Sequence, residues 1–139
     1  MAGRDFRRAS AGEIFGELTR ASFQGLRTEF DEDDRPLIVG VRPDGTAVTV
    51  DGMSDGTRDQ LFLALRLAAI ELHVQSAEPL PLVLDDLLVN FDGERATATL
   101  RLLLELSNSV PVLFFTHHAH LVELARSIGQ DVSLFVHKL

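Results

Sequence analysis

Three short segments of this 139-residue chain hold residues that can do chemistry, and each lies where a regular element begins or ends. Pro81-Leu82-Val83-Leu84-Asp85-Asp86 is an apolar run that stops on two carboxylates, oxygen ligands suited to a hard cation such as Mg²⁺ or to orienting a water. Val112-Leu113-Phe114-Phe115-Thr116-His117 follows the same plan and stops on a hydroxyl and an imidazole. Met53-Ser54-Asp55-Gly56-Thr57 runs into the long apolar stretch from Leu61 to Val74. There Ser54 and Asp55 are helix-capping residue types, and Gly56 lets the backbone come close to a ligand. The helix start presents free N–H groups and about half a positive charge, so an anion is favoured.

The elements that must position these groups follow from periodicity. The two apolar runs are short, bounded and rich in β-type residues, as buried parallel strands are. Glu94 to Ser107 and Ala119 to Ile128 have helical spacing, the second with Leu121, Leu124, Ala125 and Ile128 on one face and Gly129 as its stop. Asp131 leads into Val132-Ser133-Leu134-Phe135-Val136, a third strand. Strand, helix, strand, helix, strand implies an α/β fold with a parallel sheet and right-handed crossovers. Ligands of such sheets sit at the carboxyl ends of the strands, where Asp85, Asp86 and His117 all fall.

The first fifty residues are organised but chemically quiet. Ser10 and Glu13 form a capping box ahead of Ile14, Phe15 and Leu18, a single apolar helix face. Asp31-Glu32-Asp33-Asp34, just ahead of Pro36, is a solvated loop rather than a metal cluster. Pro36 to Arg42 and Thr46 to Asp51 flank Pro43-Asp44-Gly45 as a β-hairpin. Arg58, Asp59 and Gln60 are expected in an exposed first turn, without a role.

Composition fits one domain over residues 1–139: 45% hydrophobic content supports a single core. The chain has no cysteine, which excludes disulfides and thiolate zinc sites. No apolar run reaches the ~18 residues of a membrane span, and the expected location is the cytoplasm. A net charge of −8 argues against a nucleic-acid grip, since only Arg4, Arg7 and Arg8 cluster, in a solvated tail.

Taken together the segments resemble the ATPase heads of SMC proteins and their DNA-repair relatives, members of the ABC-type P-loop NTPases. Met53-Ser54-Asp55-Gly56 is similar to the signature motif, Leu82 to Asp86 to the Walker B strand, Asn90-Phe91-Asp92 to the D-loop, and Thr116-His117 to the switch histidine. The wording of MSDGTRDQLFLALRLA, LVLDDLLVNFDGER and VLFFTHH most resembles the YhaN-like AAA branch, over roughly residues 50 to 137. The resemblance implies the C-terminal lobe of a head. Residues 1–30 would be the helical root of a coiled coil, 36–52 the hairpin, and 53–139 the core carrying the motifs. It also implies roles. Asp85 would hold Mg²⁺ beside the phosphates of ATP, Asp86 would orient or deprotonate the attacking water, and His117 would sense the γ-phosphate. Ser54 and the Gly56 N–H would meet the nucleotide of an opposite head, and Asp92 would act across the same head-to-head dimer. DNA repair or chromosome maintenance is the implied setting, with DNA bound only through other parts of a full protein.

Departures from the motif are as informative. Asp55 stands where glycine is usual and must turn away from phosphate or accept a helix N–H. Asp86 stands where glutamate is common, and Met53 where leucine is. No Walker A is present, because G-x-x-x-x-G-K-[S/T] needs a lysine and the single lysine is Lys138. A partner lobe carrying the Walker A, from the same or another chain, is therefore expected, and the chain is either a fragment or a split gene product. Two alternatives stand beside this reading. One is a catalytically inactive assembly module. The other is a metal-dependent phosphohydrolase using His117, His118 and His120 with Asp85 and Asp86, although His118 and His120 diverge if a helix has begun.

Overall fold

The computed structural model describes residues 10–76, 81–85, 91–129 and 134–138, with the backbone alone at 74–76. Helix α1 (Ala11–Leu18) starts as its capping box requires, with Ser10 Oγ accepting the Glu13 N–H at 3.1 Å. It buries Ile14, Phe15 and Leu18. Thr19 Oγ1 donates to the Phe15 carbonyl at 2.8 Å, and Arg20 and Ala21, both left-handed at φ 54° and 64°, turn the chain back.

Three antiparallel strands follow in the order β1 (Gly25–Phe30), β2 (Pro36–Val41), β3 (Ala47–Thr49). The hairpin of 36–52 is thus present with one strand more than its sequence announced. The helical root assigned to 1–30 is correspondingly shorter among the described residues, because Gly25–Phe30 pairs with Pro36–Val41 over its whole length. The acidic run makes the connecting turn. Asp31 Oδ1 accepts the N–H groups of Asp33 at 2.8 Å and Arg35 at 2.9 Å, and Asp34 has φ 57°.

Helix α2 (Asp55–Ser76) packs on α1, and its Leu61, Leu63, Ala64 and Leu67 lie in the main core. Gln60 is not an exposed first-turn residue. It is fully buried, and its Nε2 donates to the Leu18 carbonyl at 2.6 Å, tying the end of α1 to α2. Strand β4 (Leu82–Asp85), helix α3 (Gly93–Leu106), strand β5 (Val112–Phe115) and helix α4 (Ala119–Ile128) complete the order. β4 and β5 are parallel, with Leu82 opposite Val112 and Asp85 opposite Phe115, as the α/β reading requires.

One expected element is missing from the described residues. Leu134–Lys138 carries no strand, and Val132 and Ser133, the start of that segment, lie outside the description, as do Asp131 and the tail with Arg4, Arg7 and Arg8. A strand is a pairing and not a local habit of the chain, and Phe135 stays 78% exposed. The two-stranded sheet also shows an uncovered face: Leu82 and Leu84 are buried, whereas Val83, Leu113 and Phe115 are about half exposed.

Candidate functional site

The candidate residues fall into two groups. The first lies at the carboxyl edge of the parallel sheet. Because Asp85 is opposite Phe115, Thr116 and His117 continue from β5 just beyond the point where Asp85 ends β4. Asp85 and His117 are both solvent-exposed. Thr116 shapes the turn into α4, its Oγ1 accepting the His118 N–H at 3.1 Å. An exposed carboxylate at a strand end is an oxygen ligand that suits Mg²⁺, a cation that keeps several waters. Asp86, the expected base, lies outside the described residues, as does Asn90 of the D-loop.

The histidines are neighbours without forming a described metal set. Ring centroids of His117 and His118 are 4.4 Å apart and those of His118 and His120 5.6 Å. Among the described residues, no three His, Asp or Glu side chains converge as ligands.

The second group joins the starts of α2 and α3. Ser54 caps α2, its Oγ accepting the Thr57 N–H at 3.2 Å and donating its own proton to Thr57 Oγ1 at 2.8 Å. Asp92 caps α3, its Oδ1 accepting the Arg95 N–H at 2.8 Å. Between the caps runs Arg95, with Nη1 3.5 Å from Thr57 Oγ1 and Nε 3.9 Å from Asp92 Oδ2. Gly56 is buried in the first turn of α2. The misplaced charge at Asp55 is met by its neighbour, since the Arg58 guanidinium pairs with the Asp55 carboxylate. Sequence reasoning gives Arg58 no role and passes over Thr57 and Arg95. Both of the latter had a signal: a second hydroxyl three residues after the capping serine, and a cation in the first turn of α3, against the helix dipole.

Beside α3 an open recess of about 740 Å³ is lined by Arg20, Asp92, Glu94, Thr97 and Arg101, with Arg20 paired to Glu94. A larger groove of about 920 Å³ lies between α3, β5, α4 and the terminal segment.

Comparison with known proteins places these features in context. Over 119 residues the chain is 37% identical to the uncharacterized protein YhaN of Bacillus subtilis (strain 168), covering 85% of this chain. It spans only 12% of that relative's length. No protein-family model matches the chain. Among solved structures, an SMC ATPase from work on ATP-driven dimerization and DNA-stimulated activation superposes with a TM-score of 0.66 at 17% identity, covering 86% of this chain and 71% of that one. The Pyrococcus furiosus Smc head with an extended coiled coil, bound to the C-terminal domain of ScpA, gives 0.62 at 18% identity over 86% of this chain and 30% of its own. The Thermotoga maritima SMC head gives 0.52 at 20% identity over 86% and 42%.

Proposed function

We propose that this chain, which has the fold of the C-terminal lobe of an SMC-type ATPase head, works as half of an ATP-hydrolysing machine whose Walker A lobe is carried elsewhere. The observation that carries this reading is the parallel register of β4 and β5, which sets Asp85 and the Thr116-His117 step at one sheet edge, beside a sheet face left about half exposed among the described residues. Parallel sheets are ordinarily covered on both faces, so this half-exposed face supports docking of a second lobe.

In the assembled head Asp85 would hold Mg²⁺, directly or through water. The ion would offset charge on the β and γ phosphates of ATP. Asp86 orients or deprotonates the attacking water, and its side chain, one methylene shorter than glutamate, requires a closer approach or an intervening water. His117 contacts the γ-phosphate and registers its departure. Ser54 and the Gly56 N–H, with Asp92, face the nucleotide of an opposite head, so ATP forms part of a head-to-head interface and hydrolysis releases it. ATP-driven dimerization is described for the SMC ATPases to which the first structural neighbour belongs. A cytoplasmic role in DNA repair or chromosome maintenance, with DNA held by other parts of a full protein, agrees with the net charge of −8. Among the described residues no helix is long and apolar enough to cross a membrane.

The test is a head assembled from this chain and a Walker A lobe. Asp86→Asn should slow hydrolysis by a factor on the order of 10² or more while ATP still binds and heads stay paired. Asp85→Asn should weaken Mg²⁺-dependent binding and turnover together. Ser54→Arg should abolish only pairing. Hydrolysis by Asp86→Asn at the unaltered rate removes the base assignment, whereas an unaltered assembled head that hydrolyses no ATP makes an inactive assembly module the better reading.

A further inference from the structure

The start of α3 contains an electrostatic oddity. Arg95 is the third residue of the helix, where its charge faces the positive end of the dipole. The neighbouring carboxylate of Asp92 offsets this. The Arg95 side chain is only 28% exposed, and its guanidinium reaches past Asp92 toward Thr57, whose side chain belongs to a different helix, 38 positions earlier in the chain. Arginine carries donors only, so Thr57 Oγ1 must offer it a lone pair. The same oxygen already accepts the Ser54 hydroxyl proton at 2.8 Å. Ser54, Thr57, Arg95 and Asp92 therefore form one continuous polar chain between two helix caps.

We infer that Arg95 is a positioning residue that couples Ser54 to Asp92, so that an anion bound by the serine is felt at the aspartate. This deepens the reading above and rests on it, because Ser54 and Asp92 are the two groups proposed to face the opposite nucleotide. The coupling follows from proton counting. Ser54 has one hydroxyl proton, and it donates that proton to Thr57. When the proton goes instead to a phosphate oxygen, Thr57 Oγ1 loses one of its two donors and its lone pair is left to Arg95. The contact of Arg95 with Thr57, a long hydrogen bond at 3.5 Å, then tightens. The guanidinium moves toward α2 and shifts its hold on Asp92, whose Oδ1 stays fixed by the Arg95 N–H. Thr57 is 6% exposed, so water is a poor substitute for either partner.

A double-mutant cycle tests the coupling in the full 139-residue chain assembled with a Walker A lobe. Head pairing is followed by sedimentation with Mg²⁺ and a non-hydrolysable ATP analogue, and each variant's thermal midpoint is recorded alongside. Arg95→Met keeps the stem and removes the donors, and should weaken pairing about tenfold. In a Ser54→Ala background the same change should have no further effect, which a purely structural role would not produce. Thr57→Val removes the bridge from the other side and should match Arg95→Met, and it carries the cycle if Arg95→Met fails to fold. Unchanged pairing in Arg95→Met, or losses that simply add, overturns the coupling while a loss in Ser54→Ala leaves the signature assignment standing. Full pairing by Ser54→Ala, or none by the unaltered head, overturns both.

Discussion

At Gln60 the amide nitrogen is bonded to the Leu18 carbonyl, while the amide oxygen is enclosed without a partner among the described residues. Opposed costs meet at this side chain. Gln60→Leu loses the bond but also removes the orphaned oxygen, so it should cost less than about 1.5 kcal/mol in chemical denaturation. Gln60→Glu puts a carboxylate where the donor was, facing a carbonyl, and should cost about 3 kcal/mol or more at neutral pH. Burial raises the pKa of that new acid, so its penalty should shrink as pH falls. Asp44 illustrates the opposite sign. The Thr46 hydroxyl first, and then the Thr46 N–H, hold its carboxyl below the ordinary value. Its contribution is present above the unfolded pKa and lost as pH drops through the folded one, so Asp44→Asn should flatten the acid limb of the stability curve below about pH 4. Caps such as Ser10 and Asp92 were legible as residue types ahead of helical patterns. Gln60 and Arg95 were not, because their partners Leu18 and Thr57 are distant in sequence and local pattern carries no trace of such a bond.

Among the elements, β2 is held to a narrow tolerance by what lies against Gly40. A Cβ there would meet Phe23 Cδ1 and Cε1 at 2.8 Å and Met53 Cε at 3.0 Å. The Phe23 ring cannot simply swing away, since it packs against the Phe15 ring in a tilted pair with centroids 5.0 Å apart and carries the Arg42 guanidinium at 5.4 Å. Gly40→Ala should therefore destabilise by about 1–3 kcal/mol, measurable by thermal melting. Asp92→Ala should cost about 1 kcal/mol through the lost cap of α3, with Asp92→Asn recovering most of it. Helices α3 and α4 followed directly from their periodicity, and so did strands β4 and β5. Strand β1 escaped because Gly25–Phe30 follows a helix and resembles its continuation until the Asp34 turn folds it onto β2. The segment from Leu134 erred the other way. Its apolar pattern is strand-like, yet no ladder partner is present among the described residues.

For the whole molecule, the half-exposed Val83, Leu113 and Phe115 form a surface made for company. Leu113→Asp should leave the isolated chain's stability within about 1 kcal/mol, because the position is already half in water, and yet block assembly with a Walker A lobe in a pull-down. The isolated chain should also bind Mg·ATP only weakly, and a micromolar dissociation constant by calorimetry would mean that a phosphate cradle had been overlooked. The bond between Gln60 and Leu18 spans 42 positions, and the three-stranded sheet occupies the interval. That arrangement sets a timetable. The β1–β2–β3 meander closes through short turns and can form early, whereas α1 and α2 meet only after it has drawn their ends together. Val39→Ala, in the middle of the meander, should slow refolding, whereas Leu18→Ala should act chiefly by speeding unfolding.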